Sequence, residues 1–349
     1  MAGTALAGSR VLDFGQQLPV PFTTLLLAQL GAEVIKVEPP GGDAGREIDP
    51  RMFEIVNAGK RSVAVDLKDE VDRGRLRELA RTCDLVVEGF RPGTAARLGF
   101  GYEEVRALRE DVIYLSLSGY GAEGPYRDVP GHDVNYLGVA AGVRPDHAGW
   151  IGVPFVDLGS GTTAALAIVA AVRERDRTGA GCFLDLGMLD VAAFWAGVKV
   201  APEEGSEPVY GAFAAADGKL LTLAVLEDKF WRNLCACLGW ADWADDPELA
   251  THERRRLRGG EIEARLRESL ATRPRDAWIE SFEAADVPAA PVLRPGDVPL
   301  DPQIRARGLA RRGEGPEDWR PVSPLPAAVR GEVDSRAPEL GADASRILG

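Results

Sequence analysis

The chain has 349 residues, 45% of them hydrophobic, which is long enough to bury a large core and too apolar for a disordered chain. Its formal net charge is −13, from 54 Asp and Glu against 41 Lys and Arg. An acidic surface repels phosphate backbones, which argues against a nucleic-acid partner, so any anionic ligand has to be held by local Arg, Lys and backbone N–H groups.

The first third alternates short apolar runs with helical patterns. RVLDF (10–14) reads as a buried strand, and PFTTLLLAQLGA (21–32) predicts a helix opened by Pro21 and stopped by Gly31. EVIKVE (33–38) and RSVAVDL (61–67) are the next strands. A charged helix over 68–83 separates them from DLVVEGF (84–90) and VIYLSLSG (112–119). This alternation predicts a parallel, doubly wound sheet with ligands at the strand carboxyl ends. Beyond Gly131 the pattern turns helical: DVNYLGVAAGV, then GSGTTAALAIVAAVRERDRTG (159–179), then a strand and helix in CFLDLGMLDVAAFWAG. The composition shifts at APEEGSEP (201–208), a linker signal. A hairpin follows, 209–215 and 219–226 around Asp217-Gly218, then a helix in EDKFWRNLCACLGW, a helical polar stretch over 241–296 and a Pro- and Arg-rich end.

Cys83, Cys182, Cys235 and Cys237 form no Cys-x-x-Cys pair, which predicts reduced thiols in a cytoplasmic protein and no zinc site or disulfide framework. MAGTALAGSR lacks the apolar core of a signal peptide, and no apolar run reads as a membrane span, so no membrane partner is expected.

Several residues have both a chemical and a bland reading. The loop DFGQQLPVP (13–21) lies where a dinucleotide-binding fold carries Gly-x-Gly-x-x-Gly, but it holds one glycine and two prolines, so a nicotinamide dehydrogenase is disfavoured. Lys36, Lys60, Arg61 and Arg91 sit at strand ends, either as solvated charges or as a phosphate clamp; Arg91, in EGFRPG, is the best placed. Asp133 is placed to cap a helix from Val134, with His132 beside it as either a base or a hydrogen-bonded loop residue. Asp157 precedes a small-residue helix, where it is a cap or a carboxylate facing a ligand; Gly159 and Gly161 would let a substrate approach closely. Glu227 follows a strand and alone reads as a helix opening. His147 and His252 lie in polar surroundings without a partner motif. Ser116 and Ser118 lack a Gly-x-Ser-x-Gly elbow, which disfavours a serine hydrolase.

Taken in order, VLDFGQQLPVPFTTLLLAQLGAEVIKVEPP, GKRSVAVDLK, EGFRPGTAARLGFGYEEV, LSLSGYGAEGPY, GHDVNY, VDLGSG, RTGAGCFLDLGML and YGAFAAADGKLLTLAVLEDKFW resemble the family III CoA-transferase superfamily. Within it the chain looks most like the α-methylacyl-CoA racemases, because Gly131 to Tyr136 matches their Gly-His-Asp-x-Asn-Tyr motif. The resemblance implies an α/β fold: a large Rossmann-like domain from 1–200 and 305–349, a small α+β domain from 201–304, and an interlocked homodimer. It implies His132 and Asp157 as proton-transfer residues and Glu227 as the group orienting the histidine. Lys36, Ala64, Val65, Asp66, Leu67 and Arg91, with Gly131, Asp133, Val134, Asn135 and Tyr136, would line the CoA site. Pro39 departs from the pattern by replacing an arginine that meets CoA phosphate, and Lys36 is expected to compensate. The short segment between Met188 and Tyr210 and LAVLEDKF also differ from the family.

The implied reaction interconverts R and S 2-methylacyl-CoA thioesters. It needs no cofactor beyond the CoA carried by the substrate. His132 and Asp157 would act on opposite faces of the α-carbon, with backbone N–H groups near Asp133 holding the enolate oxygen. Two rivals stand beside it: a CoA transferase with Asp157 as nucleophile, and a non-catalytic acyl-CoA-binding relative.

Overall fold

A computed structural model describes residues 4–142, 152–198, 207–313 and 319–349. Most of the linker expected at 201–208, and His147, lie outside the described residues. The chain divides into two units, Met1–Val200 with Ser323–Gly349, and Ala201–Val322.

In the first unit the elements run β1 (Arg10–Asp13), α1 (Pro19–Gln29), β2 (Glu33–Glu38), α2 (Gly45–Ile48), α3 (Pro50–Val56), β3 (Arg61–Ala64), α4 (Glu70–Ala80) and β4 (Leu85–Glu88). They continue with α5 (Thr94–Arg97), α6 (Tyr102–Arg106), β5 (Ile113–Ser118), α7 (Asp133–Val139), α8 (Phe155–Thr178), β6 (Cys182–Gly187) and α9 (Met188–Val198). All six strands pair in parallel, in the order β3-β2-β1-β4-β5-β6. The order reverses between β1 and β4, and the crevice at their carboxyl ends is where such sheets bind ligands.

Both faces of the sheet are covered, which is why its central strands read as unbroken apolar runs. Alternate residues go to opposite sides. Val11, Val34, Leu85, Val87, Ile113 and Leu115 pack with Leu27 of α1 and Ala164 and Ile168 of α8. Leu12, Ile35, Val86 and Tyr114 pack on the other side with Leu76 and Leu79 of α4. By length and composition α8 could cross a membrane, contrary to the expectation from sequence. Its packing against α1 and β5 makes it a core helix of this unit.

Element ends move where long-range partners decide them. The strand expected over 61–67 stops at Ala64, where its pairing with Glu38 of β2 ends. The helix expected from 68 starts at Glu70, because the Asp69 carboxylate accepts the Asp72 N–H at 3.0 Å and caps it. The helix expected from Pro21 starts at Pro19. The C-terminal segment is tied to this unit by Gly331 N–H donating to Gln29 O (2.7 Å) and Gly341 N–H donating to Ser62 Oγ (2.9 Å).

The second unit holds an antiparallel sheet of β7 (Tyr210–Ala214), β8 (Leu220–Ala224) and β9 (Ala289–Pro291), with β8 central. The hairpin turns at Asp217-Gly218, where Gly218 takes a φ of 73°. Between β8 and β9 lie α10 (Asp228–Leu238), α11 (Ala241–Ala244), α12 (His252–Leu257), α13 (Gly259–Leu270) and α14 (Arg275–Ala284), around a core that includes Trp231, Trp240, Leu266 and Phe282. The stretch 241–296, expected to be helical, therefore also contains β9. His252 has a partner that local sequence does not reveal: its Nε2 lies 2.7 Å from the Glu207 carboxylate. A last helix, α15 (Pro302–Ala306), and a hairpin of β10 (Ala310–Arg312) and β11 (Trp319–Pro321) keep residues 305–322 in this unit, so the return crossing falls at 322/323 rather than 304/305.

Candidate active site

The carboxyl ends of β1 and β4 open into a cavity of about 350 Å³ in the first unit. From the loop after β1 come Phe14, Gln16, Gln17 and Pro19. From the loop after β4 come Gly89, Phe90 and Arg91. Gly131, His132, Tyr136, Asp157 and Met188 complete the wall. Of the residues expected at a site, Arg91, Gly131, His132, Tyr136 and Asp157 therefore meet in one cavity.

The floor is held by buried charges. Asp13 accepts the Gly15 N–H through Oδ1 (2.7 Å), and through Oδ2 it accepts Thr24 Oγ1 (2.6 Å) and Lys60 Nζ (3.0 Å). Burial raises the Asp13 carboxyl, but Lys60, Lys36 and the Thr24 hydroxyl together hold it below the usual carboxylate range. Burial pushes the Lys60 ammonium down to about 8 against the opposing pull of Asp13. Lys36 Nζ donates to Gly15 O at 2.7 Å and pairs with Asp43 Oδ2 at 2.7 Å. Asp43 Oδ1 in turn accepts the Gln17 N–H at 3.1 Å, and Gln17 sits in the left-handed region at φ 58°. The Lys36 side chain is wholly buried and its charge is committed, so it does not present an ammonium to a CoA phosphate as expected.

At the end of β4 the Glu88 carboxylate accepts the Phe90 N–H at 2.7 Å and fixes the turn that carries Arg91. Burial pushes the Glu88 carboxyl up. Arg91 itself is exposed.

His132, exposed, occupies the N-cap position of α7, and its backbone N–H donates to Asn135 Oδ1 at 2.9 Å. Asp133 is the first residue of α7 and does not cap that helix. It is buried, and its Oδ1 accepts the N–H groups of Val156 (2.7 Å) and Asp157 (3.0 Å) at the start of α8. The long helix starts at Phe155 rather than at 159, so Asp157 is its third residue and not its cap. The Val156 and Asp157 amides of that first turn serve Asp133 and not the Asp157 carboxyl. Burial, and next the charge of Asp133, push Asp157 up to about 7.

Tyr136 is buried beneath this loop, edge-on to Tyr120 with ring centroids 5.1 Å apart. Burial raises its hydroxyl to about 12. Gly131 lies against its ring, where an added Cβ would stand 2.7 Å from a ring carbon.

Other residues expected at a site lie elsewhere. Gly159 and Gly161 leave no gap for a substrate. A Cβ at Gly159 would meet Trp195 at 2.1 Å, and one at Gly161 would meet Phe22 at 2.8 Å and Pro19 O at 2.9 Å. These glycines let α9 and α1 approach α8. Val134 and Asn135 are exposed on α7 and do not line the cavity. Ala64, Val65, Asp66 and Leu67 also lie outside it, at the carboxyl end of β3; Val65 is packed into the core, and Asp66 accepts the Lys68 N–H. Glu227 belongs to the second unit, exposed at the N-cap position of α10, with no hydrogen bond from its side chain to that helix. The lining residues Phe14, Gln16, Gln17 and Pro19 escape the sequence reading because the loop is judged there as a pyrophosphate cradle, whereas its place after the first strand is the available signal.

The sequence pattern of CoA-transferase family III matches residues 6–344. An acetyl-CoA:oxalate CoA-transferase of Acetobacter aceti is 33% identical over 336 residues, covering 88% of this chain and 86% of its own length. The succinyl-CoA:glutarate CoA-transferase of Homo sapiens is 31% identical, covering 92% of this chain and 79% of its own. Among solved structures, Rv3272 of Mycobacterium tuberculosis superposes with a TM-score of 0.84 at 31% identity, over 99% of both chains.

Proposed function

Because the chain belongs to CoA-transferase family III, we propose that it moves coenzyme A from an acyl-CoA donor to a carboxylic acid acceptor, with Asp157 as the nucleophile. The observation that carries this reading is the Asp157 carboxyl, raised by burial and set in the wall of a cavity at the sheet's switch point. The Acetobacter and human relatives are CoA-transferases acting on oxalate and glutarate, which favours transfer over the racemisation expected from the His132 motif.

In the first step the Asp157 carboxylate attacks the thioester carbonyl. The carbon–sulfur bond breaks, CoA leaves as thiolate, and an acyl-aspartyl anhydride remains. The thiolate then attacks the Asp157 carbonyl, releasing the donor acid and leaving an aspartyl-CoA thioester. The acceptor carboxylate attacks that thioester, expelling CoA thiolate and forming a second anhydride, and the thiolate then attacks the acceptor's carbonyl to give the new acyl-CoA and free the Asp157 carboxylate. CoA arrives on the substrate, so the scheme uses no separate cofactor. Arg91, exposed on the wall, suits a carboxylate or a phosphate oxygen. An interlocked homodimer, with Glu227 completing a neighbouring site, belongs to the same proposal.

A second reading rests on one observation, that His132 and Asp157 line the same cavity: α-proton exchange on a 2-methylacyl-CoA. One experiment separates the two. The protein is incubated in heavy water with a single enantiomer of a 2-methylacyl-CoA, with oxalate, succinate or glutarate as acceptor, and a second sample is quenched with hydroxylamine. Transfer of CoA to the acceptor, with a hydroxamate at Asp157, is the expected result. Deuterium uptake at the α-carbon with loss of chirality, and no transfer, would sink the transferase reading.

A further inference from the structure

The contact between α7 and the first turn of α8 has a side chain that the transfer scheme leaves unused. Asp133 is buried, and its two carboxylate oxygens have different surroundings. Oδ1 accepts both the Val156 and the Asp157 N–H groups, at 2.7 and 3.0 Å. Oδ2 is buried with no hydrogen-bond partner among the described residues. Two amides on one oxygen satisfy donors that a helix start otherwise leaves open, and they lock the backbone of the residue that carries the nucleophile. The charge on an oxygen shielded from water and donors is poorly screened, so it acts on what lies beside it. The Pro154 before α8 supplies no side-chain cap of its own, so this acid from a distant segment takes that place.

We propose that Asp133 is the positioning residue for Asp157: it fixes the first turn of α8 and sets the charge environment in which the Asp157 carboxyl works. This rests on the reading that Asp157 is the acting group. Among the described residues, the titratable groups that act on Asp157 or share its cavity are Asp133 and Tyr136 from α7, with His132 and Arg91 on the cavity wall. Packed against α8, α1 and β5 carry no charged residue, the Asp190 carboxylate of α9 is engaged by the Gly187 N–H, and the Asp185 carboxylate of β6 is engaged by the Ala122 N–H. Among these groups Asp133 alone both accepts the Asp157 backbone N–H and acts as a like charge on the Asp157 carboxyl.

Two substitutions separate the two effects. Asp133→Asn keeps an acceptor oxygen for the two amides and removes the charge, whereas Asp133→Ala removes both. The Asp157 carboxyl is titrated by carbon NMR without substrate, assigned by comparison with Asp157→Asn. Amide exchange is followed at Val156 and Asp157. In Asp133→Asn the Asp157 midpoint falls below about 7, while burial, the larger cause, still holds it above the ordinary carboxylate range, with protection of the two amides kept. In Asp133→Ala that protection drops about five-fold or more. The pH profile of transfer in Asp133→Asn moves down with the midpoint. An unmoved Asp157 midpoint in Asp133→Asn overturns the electrostatic half. Unchanged amide exchange in Asp133→Ala overturns the positional half. Both the titration and the amide exchange are read without substrate, so they decide the role of Asp133 even if the protein transfers no CoA.

Discussion

Lys36 and Asp43 form an ion pair with both side chains wholly buried, Nζ to Oδ2 at 2.7 Å, and between them they grip the loop that floors the cavity: Lys36 through Gly15 O, Asp43 through the Gln17 N–H. Removing one partner of such a pair strands a buried charge. Lys36→Met is predicted to lower folding stability by about 3–5 kcal/mol, measured by urea unfolding. Adding Asp43→Asn to that variant should recover part of the loss, since the stranded charge is gone. A loss below about 1 kcal/mol in Lys36→Met would mean that the pair contributes no more than an exposed one.

Asp157 carries opposite consequences for activity and for stability. Transfer needs the carboxylate, so the rate is expected to rise with pH through a midpoint near 7, the value to which burial raises this group. Folding responds in the other sense. The folded carboxyl titrates near 7 and the unfolded one near 3.8, so below 3.8 both states hold the proton and burial costs nothing on this account. As pH rises from 3.8 to 7 the unfolded state ionises first, and stability falls. Asp157→Asn, neutral throughout, is therefore predicted to be inactive yet more stable relative to the wild type at pH 8 than at pH 4.5, by about 2–4 kcal/mol. Urea midpoints of both proteins at the two pH values check it; a difference independent of pH would contradict the raised carboxyl.

Much of the sheet is legible because β1, β4 and β5 are short, mostly apolar runs set between helical patterns, as strands buried on both faces are. Asp157 is legible as a carboxylate near the start of a small-residue helix. What local sequence cannot carry is the partner. The acid that caps α8 lies in α7, far upstream, so Asp133 reads as the cap of its own helix. Lys36 lies near the end of a strand, which suits a phosphate clamp or a buried pair equally until Asp43 is in place. The α8 glycines have the same ambiguity, since room for a ligand and room for a neighbouring helix look alike in a sequence.

That ambiguity can be tested at Gly161. An added Cβ would stand 2.9 Å from Pro19 O, a backbone atom that cannot swing aside as a side chain can. Gly161→Ala is predicted to cost about 1–3 kcal/mol through overpacking against α1, despite the better helix propensity of alanine. Thermal unfolding reads the loss. A stabilised Gly161→Ala would show that α1 yields freely at this contact.

In the second unit a buried guanidinium joins three segments. Arg255 donates through Nη1 to Leu249 O (3.1 Å) and through Nη2 to Leu226 O (2.8 Å) and Asp228 Oδ1 (2.9 Å), with its Cζ 5.4 Å from the Trp231 ring centroid. These bonds fix the end of β8 and the start of α10, on either side of Glu227. A lysine keeps the charge but lacks the planar fork that reaches three oxygens at once. Arg255→Lys is therefore predicted to destabilise this unit by about 1–3 kcal/mol, because at least one buried carbonyl loses its donor. Tryptophan fluorescence during urea unfolding reports it, since Trp231, Trp240 and Trp243 all lie in this core. An Arg255→Lys midpoint equal to that of the wild type would show that the charge alone holds the junction and that the fork geometry is dispensable.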